Sequence, residues 1–294
     1  MRDSELTRAF QATDRSTAWT LVERVPLKFP TYHPQGIALV GELIFMTSVE
    51  VLEAPETGIG HLFAMDRQGN LKQDIRLGEG TAYHPGGLDF DGEDLWVPVA
   101  EYRPDSRAIV YTVDPTTYEV TERFRVQDHV GGVVRDRTTG HVHGVSWGSR
   151  TLYSWTPTGN QLSKQANASH FLDYQDCSYT AHGKQLCGGV TTLPGPNNTS
   201  YELGGLALLD LRTNRILHEI PFPYFSPTTN NNATRNPVAL ESTPTKLRLI
   251  TAPDDGEPPH GTELQIYETS AGSRDYSGGD VVEVAEGEEG CAVY

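Results

Sequence analysis

The chain has 294 residues, 37% of them hydrophobic and 21% charged, which is enough for a sizeable core and is neither a disordered nor a membrane composition. Lys plus Arg number 23 against 39 Asp plus Glu, and the net charge of -16 disfavours nucleic acid or an anionic membrane surface as partner. No apolar run reaches the length of a membrane span.

The start, Met1 to Glu5, is polar and no apolar segment follows it. A secretory leader is therefore absent, with a cytoplasmic protein expected, or removed, with a secretory or secreted one expected. The segment 18–27 carries Trp19, Leu21, Val22, Val25 and Leu27 and reads as a strand without a local partner.

Two matching units follow. His33-Pro34-Gln35-Gly36 leads through an apolar strand, a turn at Gly41-Glu42 and a second strand to Glu50. His84-Pro85-Gly86-Gly87 leads through a turn at Asp91-Gly92 and the strand 95–99 to Glu101, and both His-to-Glu separations are 17 residues. Each is followed by a second hairpin, with turns at Gly69-Asn70 and near Asp114-Pro115-Thr116. Three weaker copies start at His129, at Gln175-Asp176-Cys177 and at Asn236-Pro237.

Five units of four short strands predict an all-β five-bladed β-propeller, a single domain over 1–294. The segment 18–27 is expected to close the ring as the outermost strand of the last blade. A six-bladed ring is the alternative if the segment Gly279 to Val284 starts a further unit.

Cys177 and Cys187 flank a hairpin turn and are read either as a local disulfide or as two buried thiols, and Cys291 is left over. Asn167, Asn197, Asn198 and Asn232 head four Asn-x-Ser/Thr glycosylation sites, the last three in polar loops. Gly144-Val145-Ser146-Trp147-Gly148 spells a nucleophile elbow, but the helix that such an elbow needs is replaced by a turn and a strand. Gly86-Gly87 and Gly204-Gly205 read as tight strand entries rather than phosphate cradles.

In a propeller, matching positions of the repeats converge on the axis. The inner-strand entries supply His33, Gln35, His84, His129, Asp176 and Asn236; the ends of the next strands supply Glu50, Glu101, Trp147 and Glu241. Three readings of this ring compete: hydrogen-bonded cement between blades, a hard-cation site (Ca or Mg) on Glu50, Glu101 and Glu241, and a cofactor-free pocket using histidine for proton transfer. The polar run Glu101 to Arg107 offers Tyr102 and Arg103 to hold an acidic phenol or carboxylate, or is a surface loop with locally paired arginines. Tyr83, Trp96, Trp147, Tyr153, Trp155 and Tyr174 offer an aromatic wall, with Trp96 and Trp155 expected between sheets.

The motifs His33 to Gly36, Val97 to Pro104, His143 to Arg150, Asp173 to Cys177 and Thr234 to Pro237 resemble a family of largely uncharacterised bacterial and fungal propeller proteins, over roughly residues 30–270. Some fungal members are similar to hetero-Diels–Alderases of tropolonic sesquiterpene biosynthesis. The resemblance implies dehydration of a hydroxymethyl tropolone or phenol to a quinone methide, which then adds to a humulene-type alkene to close a dihydropyran. The expected partners are small hydrophobic terpene and tropolone or phenol substrates, and self-association into a homo-oligomer stays open. From the repeat, His84 or His129 with Glu101 is expected to transfer protons, Tyr102 or Arg103 to polarise the enone, and Trp147 and Tyr174 to stack. A metal-dependent hydrolase or lactonase and a non-enzymatic binding propeller are the alternatives.

Overall fold

A computed structural model describes residues 2–54, 56–243, 245–256 and 261–270. Helix α1 (Arg2–Gln11) and strand β1 (Thr20–Pro26) precede the first unit. The first blade is β2 (His33–Val40), β3 (Leu43–Val51), β4 (Gly58–Asp66) and β5 (Leu71–Leu77). The second is β6 (Ala82–Pro85) and β7 (Asp89–Phe90), which share the innermost position, then β8 (Leu95–Glu101), β9 (Ala108–Val113) and β10 (Val120–Val126). The third comprises β11 (Val130–Arg135), β12 (Val142–Ser146), β13 (Thr151–Trp155) and β14 (Gln161–Ala166). The fourth comprises β15 (Asp173–Tyr179), β16 (Lys184–Pro194), β17 (Ser200–Asp210) and β18 (Ile216–Pro221). The fifth has β19 (Val238–Ser242), β20 (Lys246–Thr251) and β21 (Glu263–Ser270), with β1 as its outermost strand.

The described residues thus form five antiparallel sheets, the five-bladed propeller expected from the repeat. Strand β1 pairs with β21 from Thr20↔Glu268 to Pro26↔Glu263, so the chain closes its own ring and covers an edge that would otherwise recruit another strand. The segment that would begin a sixth blade lies outside the described residues, as does Cys291.

Apolar packing explains the ring. A twisted sheet that buries both faces needs a neighbour on each side, and five apolar clusters fill the five blade-to-blade interfaces. Phe45 and Leu62 of the first blade meet Leu95 and Val97 of the second, and Trp96 and Val110 of the second meet Val142 and Trp155 of the third. Trp96 and Trp155 are buried between sheets, as the alternation predicts. Middle strands such as β8 are buried along their whole length, while the outermost strand β10 is exposed except at Phe124 and Val126. Helix α1 was not expected: Phe10 is buried in the cluster between blades four and five, with Leu6 and Ala9 packed beside it.

Two buried carboxylates tie the inner strands together. Asp176 of blade four accepts the backbone N–H of Ile37 at 2.8 Å and of Val238 at 3.2 Å, from blades one and five. Asp89 of blade two, nearer the far end of the axis, accepts Arg135 N and Tyr179 N, each at 3.0 Å, from blades three and four. The inner strands of blades two and three touch directly, and Gly87 N donates to Gly131 O at 2.9 Å. A Cβ on Gly86 would lie 2.2 Å from Gly131 O, so this position requires glycine.

Candidate functional site

The inner strands all start at one face of the ring, and four of the five are irregular there. Register shifts fall between Pro34 and Gly36, Ala82 and His84, Val130 and Gly132, and Tyr174 and Asp176. A bulge turns side chains out of the pleat, which is how a sheet aims groups into a cavity. The skipped residues Gln35, Gly131 and Gln175 line one axial pocket of about 270 Å³, and Tyr83 lines a neighbouring one.

The axial pocket gathers three imidazoles. His33 Nδ1 lies 2.6 Å from Asp255 Oδ1, in the β20–β21 loop of blade five. A carboxylate accepts, so Nδ1 carries a proton and Nε2 is left out of that bond. Burial alone would raise the Asp255 carboxyl, but the hydrogen bond and charge of His33, with Arg235 and Asn236, bring it below its usual value. His129 Nδ1 donates to the carbonyl of Glu101 at 2.9 Å, which fixes the same tautomer with Nε2 as acceptor. Burial pushes the His129 imidazole down, and burial together with the charges of His129 and His33 pushes His84 well below its usual value. Both rings are therefore neutral near pH 7.

Aromatic rings form the rim. Tyr102 stacks on His84 with centroids 4.2 Å apart, and Trp147 meets His129 edge-on at 4.7 Å. Their own centroids are 6.0 Å apart, and they are 40% and 41% exposed, so a planar molecule can be held against both. Ser146, Gly148, Asp173 and Tyr174 complete the lining. Burial raises the Tyr174 hydroxyl to about 12, which keeps it protonated.

Of the residues expected from sequence, His33, Gln35, His84, His129, Tyr102, Trp147 and Tyr174 come together here. Others do not. Glu101 is buried away from the axial pocket and accepts from Thr81, Arg103 and Arg107, which hold its carboxyl low against the effect of burial, so it is not a free proton carrier. Its main-chain carbonyl, not its carboxylate, serves His129. Arg103 follows it into the neighbouring cavity. Asp176 lies on the axis as the strand tie described above and does not line the pocket. Asn236 is buried, donates to Pro253 O at 3.4 Å and supports Asp255 from behind.

The cation reading of the three glutamates is not supported by their placement. Glu50 pairs with His61 and Arg76, Glu101 with Arg103 and Arg107, and Glu241 with Arg67 and Arg248. Glu241 stands at the far end of β19, opposite Arg248 beside the β19–β20 turn. Among the described residues no group of three or more His, Cys, Asp or Glu side chains is arranged to hold a metal ion.

Cys177 and Cys187 face each other across β15 and β16 and are joined as a disulfide. Asn197 and Asn198 are exposed, but Asn167 and Asn232 are buried with their amides donating to Ser149 O and Phe222 O. A glycan cannot be carried on a side-chain nitrogen engaged inside the fold, so the folded protein has no room for one at these two positions. Asp255 and Asp173 were not foreseen. Asp255 sits in the loop between the second and third strands of blade five, the level at which blade two carries Tyr102 and blade three Trp147, but its segment shares no motif with theirs.

Fold and pocket together define a five-bladed propeller with an imidazole-lined, aromatic-rimmed cavity at the mouth of its axis. The chain belongs to a family of unknown function (DUF6454), whose model matches residues 4–271. No curated protein matches it. Among solved structures it is similar to the tail fibre of Staphylococcus aureus phage P68, with a TM-score of 0.50 and 10% identity, over 91% of this chain and 56% of that one. The chain thus spans little more than half of that tail-fibre chain. It also resembles an endo-arabinanase from Bacillus licheniformis, with a TM-score of 0.48 and 10% identity over 83% of this chain and 96% of the other. A calcium-binding protein, regucalcin, from Agrobacterium tumefaciens gives a TM-score of 0.46 and 12% identity over 85% and 95% of the two chains. At such identities the likeness concerns the fold alone.

Proposed function

We propose that the axial pocket binds a small planar molecule with an acidic hydroxyl and moves its proton. One observation carries this reading: His33 and His129 both have Nδ1 committed as a donor, and both line a shared cavity. The His33–Asp255 pair has the form of a general base with its orienting carboxylate. Tyr102 and Trp147 supply the faces against which a ring stacks.

Dehydration of a hydroxymethyl tropolone or phenol is the specific reaction that the family resemblance adds. Nε2 of His33 takes the hydroxyl proton, the ring C–O bond becomes a carbonyl, and the exocyclic C–OH bond breaks. The departing hydroxyl receives the proton from Nε2 and leaves as water, so atoms and charge balance. The exocyclic carbon and the carbonyl oxygen then add across an alkene of a humulene-type ring, forming one C–C and one C–O bond. Addition of this kind asks mainly for positioning.

The test is incubation with a hydroxymethyl phenol and humulene alcohol, following loss of water and dihydropyran formation. Acceleration that His33→Gln and Asp255→Asn abolish supports the proposal. Tight binding of the phenol with no turnover leaves a ligand-binding propeller instead, and unchanged rates in all the imidazole variants would sink the assignment.

A further inference from the structure

Tyr102 lines two neighbouring cavities. One is the axial pocket; the other is a cavity of about 290 Å³ lined by Thr81, Tyr83, Glu101, Arg103 and Arg107, with Glu56 at its edge. We infer that this second cavity is a carboxylate subsite for the ligand of the axial pocket, an inference that rests on that pocket being the ligand site.

Its construction is specific. Glu101 has a side chain only 5% exposed, and it holds two guanidiniums whose side chains are 51% and 64% exposed. Arg107 donates Nε and Nη2 to Oε1 at 3.2 and 2.7 Å; Arg103 donates Nη2 to Oε2 and Nη1 to the Asp105 carbonyl. Thr81 Oγ1 donates to Oε1 at 2.8 Å. One buried carboxylate thus fixes two cations and neutralises one of them. Arg103 Nε and Arg107 Nη1 have no acceptor among the described residues and remain for an incoming oxyanion. The guanidinium fork matches the geometry of a carboxylate. On a chain of net charge -16, this lining holds as many arginines as glutamates, Arg103 and Arg107 against Glu101 and Glu56. Glu56 is exposed at the edge, where solvent screens its charge.

The ligand class is therefore an aromatic or planar ring carrying a carboxylate on a short chain, ring on the Tyr102–Trp147 side and carboxylate on the arginine side. Trp147 reports binding, because Trp19, Trp96 and Trp155 are all buried. Its fluorescence, taken as the difference between wild type and Trp147→Phe, would be titrated with 3-phenylpropanoate and with 3-phenylpropan-1-ol. We expect the acid to bind about tenfold tighter than the alcohol, the size of one charge-assisted hydrogen bond. Arg107→Gln should erase that preference and leave the alcohol unchanged. Glu56→Gln, a surface change that spares the fold, should tighten the acid alone by about two- to threefold. Equal affinity of acid and alcohol in the wild type, or a preference that survives Arg107→Gln, overturns the subsite while the axial pocket stands. An acid affinity unmoved by Glu56→Gln also counts against it. If neither compound alters the Trp147 signal, the axial reading fails and this one falls with it.

Discussion

His33 and Asp255 are 222 residues apart in sequence and 2.6 Å apart in space, joined Nδ1 to Oδ1. Around them the chain is doubly fastened, for Gly256 N donates to Tyr32 O at 2.6 Å. Asp255→Asn keeps the shape but offers Nδ1 a weaker, uncharged acceptor. It should slow proton transfer by on the order of a hundredfold, mainly in kcat, with the affinity for a phenolic ligand little changed. Turnover of a hydroxymethyl phenol, set beside ligand titration, checks this. An equal loss in binding would mean that Asp255 only shapes the pocket.

Asp89 makes stability depend on acidity. Burial raises its carboxyl to about 6, against the backbone donors that pull the other way. Folded Asp89 therefore holds a proton that the unfolded chain has released above about pH 4. This group's contribution is fully present below that value, falls as pH rises toward 6, and stays lost above it. About two pK units correspond to on the order of 3 kcal/mol. Urea unfolding at pH 4 and pH 7 should show that difference shrinking in Asp89→Asn relative to wild type. An unchanged pH dependence in the variant would refute the assignment.

His143 acts in the opposite sense. Both ring nitrogens are buried without partners, and burial lowers the imidazole to about 4. The unfolded chain takes up the proton first as pH falls below the usual histidine value, so stability is lost between about pH 6.5 and 4. His143→Leu removes the unsatisfied groups at similar volume. It should stabilise by about 1 kcal/mol at pH 7, and by about 2 kcal/mol more at pH 5. Melting curves at the two pH values decide it; destabilisation at both would show that the ring's shape matters more than its nitrogens.

Two glycines separate crowding from backbone conformation. Gly86→Ala drives a Cβ into the Gly131 carbonyl and should cost about 3 kcal/mol. Gly41 has open space around it but a φ of +58°, and Gly41→Ala should cost only about 1 kcal/mol. Equal losses in chemical denaturation would contradict the close approach of the inner strands of blades two and three.

The period of the sequence carried the ring, the closing strand and the level of the pocket, because turns and apolar runs repeat with the blades. It carried His33, His84 and His129 for the same reason. It did not carry orientation. Glu50 and Glu101 recur at one spacing, yet each turns to side chains of its own blade, His61 and Arg76 for one, Arg103 and Arg107 for the other. Asp176 occupies an inner strand, but a step below the cavity, where backbone N–H groups of neighbouring blades surround it. The bulges decide which side chains turn inward, and a bulge has no fixed sequence mark when the extra residue is Gln35 in one blade and Gly131 in another.

Strand β1 joins β21 inside blade five, and the His33–Asp255 pair links that completed blade to blade one. A ring that has not shut would display the Tyr102–Trp147 rim and the His84 and His129 imidazoles, all of which come from blades two and three, but would lack the proposed base and its carboxylate. The competence of the site is thus a readout of circular completion: a nick or truncation that frees β1 should abolish activity before it disperses the blades.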